Sequence, residues 1–203
     1  MKRFAVILAL ALGLSFPAFS QNVFTHFGLE GGIAVNKFTD FQNFQEKGIA
    51  GWHAGMTLLT KLPGFFAIQP TVEFERSCSR ITLDDGRSGT MNIDAVDVPI
   101  AVQWGPDLGI CRIFIEAVPY VGFNIDGKSY NKYDNDWENV KDYLKTTQFG
   151  LGVGGGLDVW RIQLGVRYSW AFGNWATMTA DNPFKDLDGK KKGITITLAY
   201  FFN

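Results

Sequence analysis

Residues 193–203 read GITITLAYFFN, a segment in which large apolar side chains occupy every second position. Side chains of an extended strand point alternately to its two faces. One face of this segment would therefore carry only Ile194, Ile196, Leu198, Tyr200 and Phe202. The opposite face would carry threonine, alanine and one phenylalanine. The alternation predicts a β-strand with a fully apolar face.

The same alternation recurs along the chain and predicts seven further strands. Five of them lie at about 24–36, 49–62, 65–76, 93–104 and 110–125, and two more flank a tight turn near Trp160 and Arg161. Long polar loops at about 37–48, 77–92, 126–146 and 174–192 alternate with short turns. This pattern predicts an all-β fold: an eight-stranded antiparallel up-and-down transmembrane β-barrel with short periplasmic turns and long extracellular loops.

The apolar faces are predicted to point outward. The interior of an eight-stranded barrel is just wide enough for side chains to fill it. The large apolar residues are too bulky for that space, whereas the glycine, alanine, threonine and carboxylate faces fit it. The aromatic residues also fall into two bands, as interfacial girdles would. A soluble lipocalin-like barrel with an apolar interior is the alternative, and both volume and banding oppose it.

The first 20 residues have the layout of a secretory signal peptide. Lys2 and Arg3 precede a short apolar run, and Ala18 and Ser20 provide small residues before a predicted cleavage site at Gln21. The barrel domain is then expected to span residues 21–203. Without Lys2 and Arg3, 17 of the 19 basic residues remain against 20 acidic ones, so the mature chain has a slight negative charge. This balance argues against a nucleic-acid partner.

Several segments together resemble a known family. They are GIAGWHAGM (48–56), FFAIQPTVEFE (65–75), AVDVPIAVQW (95–104), FIEAVPYVGF (114–123), FGLGVGGGLDV (149–159) and LGVRYSWAFGN (164–174), followed by the closing tyrosine and phenylalanine. The chain is similar over almost its whole mature length to the outer-membrane β-barrel family of Bacteroidetes that includes the PorT-like proteins. The closing strand also resembles the C-terminal signal of bacterial outer-membrane barrels. The resemblance implies this fold and a location in the cell outer membrane.

A polar cluster is predicted inside the barrel. The inward faces carry the carboxylates Glu30, Glu73, Asp97 and Glu116, together with Arg167. Buried charges must be paired and hydrogen-bonded. Glu116 is the first choice as the partner of Arg167, with Glu30 or Glu73 as alternatives. This cluster is predicted to fill the lumen and not to conduct.

Two features of the long loops suggest contacts outside the barrel. Lys190, Lys191 and Lys192 stand at the outer mouth of the last strand, where their ammonium groups could bind lipopolysaccharide phosphates. A solvated loop end is the alternative interpretation. In the third outer loop, Asn135 and Glu138 resemble a capping box, and apolar residues 137, 140 and 144 recur at helical spacing. A short surface helix is predicted there.

No catalytic, cofactor or metal site is predicted. Counting ladder pairs places His53 beside Gly32 and His26 beside Leu59, too far apart to share a metal. No further histidine is present to orient a Ser-His-Asp array. Cys78 and Cys111 are predicted to lie at opposite ends of the barrel wall and to remain free thiols.

The expected function is therefore a structural, adhesive or interaction role in the outer membrane. The expected partners are outer-membrane lipid, lipopolysaccharide, the barrel assembly machinery and an unidentified extracellular or envelope protein. A lipid-modifying enzyme and a soluble ligand-binding barrel are the alternatives.

Overall fold

The computed structural model describes residues 24–39, 44–83, 88–131, 136–139, 146–172 and 190–202. These residues form nine strands and no helix: β1 Phe24–Thr39, β2 Phe44–Lys61, β3 Phe66–Leu83, β4 Ser88–Trp104, β5 Arg112–Asn131, β6 Asp136–Asn139, β7 Thr147–Val159, β8 Ile162–Phe172 and β9 Lys190–Phe202. Within this part of the chain no helix is long and apolar enough to cross a membrane. The predicted signal peptide, residues 1–20, and the cleavage site at Gln21 lie outside the described residues.

The eight long strands close into a barrel. Consecutive strands from β1 to β5 pair antiparallel. β5 then pairs with β7, and the pairing continues through β8 to β9. The ring is closed by β1 and β9, with Phe27 opposite Phe202 and Val35 opposite Ile194. The short strand β6 pairs with the outer end of β5 and adds to the wall there. The predicted eight-stranded up-and-down barrel is confirmed.

The apolar faces point outward, as predicted. Large apolar side chains on this face are about half exposed, for example Met56 at 61%, Ile115 at 63% and Phe149 at 60%. Small and polar residues such as Ala34, Thr57 and Val118 are almost fully buried on the inner face. The soluble barrel with an apolar interior is therefore wrong. A surface this apolar is stable against lipid.

The outward apolar residues form a continuous belt around the barrel. On most strands it covers nine to eleven residues, at 27–35, 66–74, 96–104, 113–123, 149–159, 162–172 and 194–202. A tilted strand needs about 9–11 residues to cross the hydrocarbon core. The belt is flanked by exposed aromatics, including Trp52 and Phe172 at the outer end and Trp104 and Phe66 at the periplasmic end. Its height therefore matches a bilayer.

Several strands continue past the belt at the outer end, which the sequence did not predict. β3 runs on from Phe74 to Leu83 and β5 from Phe123 to Asn131. At about 3.3 Å per residue, each adds roughly 25–30 Å of strand. Above the lipid a strand needs no apolar outward face, since backbone pairing with its neighbours can continue without one. The alternation that marks a strand in the sequence therefore stops before the strand does.

The predicted surface helix is wrong for residues 136–139. These residues are β6, and Trp137 pairs with Tyr130 across an antiparallel ladder. The other residues of that prediction, Asn135, Val140 and Leu144, lie outside the described part of the chain. The extended outer end of β5 offers an unsatisfied backbone edge, and pairing to that edge competes with local helical spacing. Tertiary pairing prevailed over the local pattern.

Two predictions about individual residues are confirmed. The tight turn between β7 and β8 consists of Trp160 and Arg161, and Trp160 has a φ of 55°, the positive value that two-residue hairpin turns of the primed types need at their first position. Cys78 and Cys111 are free thiols.

The seam between β1 and β9 is packed by aromatic contact, because the rings of Phe27 and Phe202 lie 6.0 Å apart.

Candidate functional site

The candidate functional site is the polar lumen, and its periplasmic half is organised by Arg112. This buried guanidinium donates to Asp158 Oδ2 at 3.0 Å and to Gln103 Oε1 at 2.9 Å. Gln163 donates to the other oxygen of Asp158 at 2.8 Å. Gln103, with no exposed surface, donates to Gln69 at 2.7 Å. Hydrogen bonds thus link the inner faces of the five neighbouring strands β3, β4, β5, β7 and β8.

The middle of the lumen contains the ion pair between Arg167 and Glu116, which was the first choice in the sequence analysis. Arg167 on β8 donates through Nε to Glu116 Oε1 on β5 at 2.9 Å. The two side chains are 17% and 5% exposed. Gln103 lies 3.5 Å from the second oxygen of Glu116 and so connects this pair to the Arg112 network. Gly154 lies between the two strands, where a side chain would crowd Glu116.

Three further acidic and basic side chains from β1, β2 and β3 meet beside this pair. Glu30, His53 and Glu73 are all buried, and one ring nitrogen and one oxygen from each carboxylate lie within 4.8 Å of one another. Gln69 donates to Glu30 at 3.3 Å. His53 lies opposite Gly32, as the sequence predicted, and its Nε2 is 3.1 Å from the Thr197 hydroxyl.

The outer part of the lumen is built around Glu75 and Lys191. The ammonium group of Lys191 lies 2.5 Å from Glu75 Oε1. The Asn36 amide donates to the same oxygen at 2.9 Å, and the Ser77 hydroxyl also donates to it. The Lys191 side chain is only 12% exposed. Asn36 donates to Ser77 as well, at 2.9 Å, so all four side chains form one network.

The predicted lipopolysaccharide contact is therefore wrong for Lys191. Ile194 points outward on β9, so alternation directs Lys192 outward and Lys191 into the barrel. The inward position is stabilised by Glu75, which would otherwise be a buried carboxylate without a cation. Counting back from Ile194 in the sequence would have identified Lys191 as an interior residue.

A small cavity lies between the Arg167 ion pair and the network of Glu75 and Lys191. It has a volume of about 30 Å³ and its lining includes Glu73, Asp97, Tyr120, Arg167 and Lys191. This is room for about two water molecules. The five residues predicted for the lumen are thus all interior. Glu73, Asp97 and Arg167 line this cavity, and Glu30 and Glu116 belong to the hydrogen-bond network of Gln69 and Gln103. The sequence analysis missed His53, Lys191 and the glutamines.

The belt, the closed ring and the filled polar lumen define a small outer-membrane β-barrel. The sequence profile of the family described as outer membrane protein beta-barrel domain matches residues 19–176. The chain belongs to this family. A comparison with curated protein sequences gave no match.

Two solved structures show the likeness in fold. Neisserial surface protein A (NspA) superposes with a TM-score of 0.52 at 8% identity, over 90% of this chain and 100% of NspA. The outer membrane protein OprG from Pseudomonas aeruginosa has a TM-score of 0.51 at 11% identity, over 88% of this chain and 96% of OprG. At these identities the likeness concerns the fold alone.

Proposed function

We propose that this protein is a non-conducting structural barrel that supports an interaction surface at the outside of the outer membrane. The lumen carries the first half of this proposal. Arg167 on β8 pairs with Glu116 on β5, and Lys191 on β9 pairs with Glu75 on β3, so each ion pair reaches past at least one intervening strand. The cavity between them has room for only about two waters. A solute would have to break several buried hydrogen bonds to pass. Barrels with an aqueous channel have about 16 strands or more.

The outer wall supports the second half of the proposal. β3, β4 and β5 extend beyond the apolar belt and β6 widens the wall there. Such an extension holds the outer loops away from the lipid, where an extracellular or envelope protein can reach them. We also propose that the chain is exported by a cleaved signal peptide, inserted by the barrel assembly machinery, and related to the PorT-like proteins of Bacteroidetes. The shared sequence segments support that relation.

A role as an enzyme fits the outer lumen less well. A lipid-modifying enzyme requires an activated nucleophile at the outer edge of the membrane. Ser77 is at this depth, but its hydroxyl bonds to Glu75 and Asn36. His53 lies deeper and bonds to Thr197. Among the described residues, no histidine contacts a serine. We therefore propose a non-enzymatic role.

Conductance across planar bilayers tests the non-conducting function. We expect the purified, folded protein to show no stepwise current increments at any applied voltage, because its lumen is bridged by hydrogen-bonded side chains. A 16-stranded porin inserted under the same conditions is the positive control. Folding is checked by heat-modifiable migration on a gel. Reproducible single-channel steps from the folded protein would contradict the proposal.

We further propose that Lys190 and Lys192 contact lipopolysaccharide phosphates. Lys192 shares the outward face of Ile194 and pairs with Trp170 at the upper margin of the belt, and Lys190 is the first residue of the same strand. A lysine near an anionic surface contributes about 1 kcal/mol. Changing both residues to glutamine is expected to lower the amount of lipopolysaccharide that copurifies with the folded barrel. The matched variant Lys192→Arg keeps the charge and should retain the lipid. Equal lipid in the double glutamine variant and the wild type would exclude the contact.

A further inference from the structure

The group formed by Glu30, His53 and Glu73 has the ligand types of a metal site. The three residues lie on the adjacent strands β1, β2 and β3 and face the lumen, with exposed fractions of 8%, 3% and 8%. One ring nitrogen of His53 and one oxygen from each carboxylate lie within 4.8 Å of one another. Imidazole and carboxylate together suit Zn²⁺ and related divalent transition metals.

The His53 ring provides an independent sign of a ligand site. Its Nε2 lies 3.1 Å from Thr197 Oγ1, whereas its buried Nδ1 has no hydrogen-bond partner. A buried polar atom without a partner is costly and needs an explanation. A histidine that binds a metal through one nitrogen usually donates its other N–H to a nearby acceptor, which fixes the tautomer. The Thr197 hydroxyl is in place to accept from Nε2–H, leaving Nδ1 for a metal.

The distribution of charge in the lumen points the same way. Arg112 pairs with Asp158, Arg167 with Glu116, and Lys191 with Glu75. In the part of the chain that the structure describes, Glu30 and Glu73 make no ion pair with a lysine or arginine. Arg167 attracts both carboxylates from beyond ion-pair distance, but its guanidinium is paired with Glu116. Two neighbouring buried carboxylates that share one cation with a third carboxylate are unfavourable. A bound divalent cation would balance both of them.

We propose that Glu30, His53 Nδ1 and Glu73 bind a divalent transition metal ion of the Zn²⁺ type inside the barrel. With bonds of about 2.0–2.1 Å, a tetrahedral ion needs ligand atoms about 3.4 Å apart. One ring nitrogen of His53 and one oxygen from each carboxylate now lie within 4.8 Å of one another, so side-chain rotations would bring Nδ1 and the two oxygens to this spacing. Water from the adjacent cavity, which Glu73 also lines, can complete the coordination. The ion then links three neighbouring strands.

A second acidic group nearby is a weaker candidate. Oxygens of Glu73, Glu75 and Asp97 also lie within 4.8 Å of one another. However, Glu75 already holds the Lys191 ammonium at 2.5 Å, and that positive charge would repel a cation. The group also lacks a nitrogen ligand. Asp97 therefore serves as a control for the test of the proposed site.

Zinc binding to the purified, folded barrel tests the proposal. The protein is stripped with a chelator in detergent and titrated with Zn²⁺ by calorimetry, with Mg²⁺ and Ca²⁺ in excess as competitors. We expect one Zn²⁺ per chain and a higher midpoint of thermal unfolding with zinc. His53→Gln and Glu73→Gln should each weaken binding at least about tenfold, and Thr197→Val about ten- to hundredfold. Asp97→Asn should weaken binding much less than either of these changes, because Asp97 supplies no ligand atom to the proposed site.

The wild-type protein provides a readout that does not depend on variants folding. Bound Cu²⁺ should show nitrogen hyperfine coupling from one imidazole in its electron paramagnetic resonance spectrum. Heat-modifiable migration identifies which variants are folded. Unchanged zinc affinity in folded His53→Gln, loss of binding in Asp97→Asn alone, displacement of zinc by Ca²⁺, or a copper spectrum without nitrogen coupling would each overturn the proposal.

Discussion

Replacing Arg167 with methionine is expected to lower the free energy of unfolding by about 3–5 kcal/mol, the range for breaking a buried ion pair. The substitution keeps a long side chain but leaves Glu116, at 5% exposure, without its cation. Arg167 also borders the cavity that Glu73 and Asp97 line, so the whole acidic side of the lumen loses its central positive charge. Equilibrium unfolding in denaturant, starting from the folded barrel in vesicles, measures the loss.

Two further variants identify the cause of that loss. Glu116→Gln in the Arg167→Met background removes the unpaired charge, so part of the stability should return and the two substitutions should not be additive. Arg76→Met is the matched control at the surface. Arg76 makes two bonds of 2.6 Å to Asp94, but its side chain is 44% exposed. Its loss should cost about 1 kcal/mol or less. Additive losses for Arg167 and Glu116 would show that the pair is not coupled.

Replacing Gly150 with leucine is expected to destabilise the barrel by about 1–3 kcal/mol, the usual cost of overfilling a packed interior. Gly150 on β7 lies directly opposite Tyr120 on β5. The Tyr120 ring and hydroxyl occupy the space into which a side chain at 150 would point. The same unfolding measurement detects the change in stability. The fraction of protein that still migrates as the folded form on a gel after heating provides a second measurement.

A size exchange tests this packing directly. Tyr120→Ala should recover part of the stability lost in Gly150→Leu, because the removed ring makes room for the new side chain. Gly165→Leu is the matched control on β8, since no heavy atom lies within 4 Å of a Cβ built there. It should cost little. A Gly165 variant as unstable as the Gly150 variant would indicate a general intolerance of the barrel to loss of glycine.

The barrel and the faces of its strands could be predicted from the sequence because the lipid imposes a strict alternation. Each strand inside the belt must present a large apolar residue at every second position, as Ile194 and Ile196 do. Once the loop between the first two strands is located, the register of that pair follows by counting. The positions of His53 opposite Gly32 and of His26 opposite Leu59 agree with that count.

The outer strand ends and the site geometry were harder to predict. Beyond Phe74, the positions in phase with it carry Arg76, Cys78, Arg80 and Thr82, because a strand above the lipid needs no large apolar residue at every second position. Trp137 and Val140 have helical spacing, yet Trp137 lies in β6. The meeting of Glu30, His53 and Glu73 depends on how three neighbouring strands tilt and how their rotamers turn inside the lumen. The alternation in the sequence indicates to which face of the strand each residue points. It does not give the distances between side chains on different strands.

The pairing of β1 with β9 also affects how the chain can fold. The two strands that close the ring are separated by nearly the whole sequence. Bringing them together therefore has a high entropic cost of loop closure, and their contact should form late. Until then, β1 and β9 are open edges with unpaired backbone groups and apolar residues such as Leu29 and Leu198. Open apolar edges of this kind promote aggregation in water. The unfolded chain would therefore need protection from the moment of its synthesis until Phe27 meets Phe202.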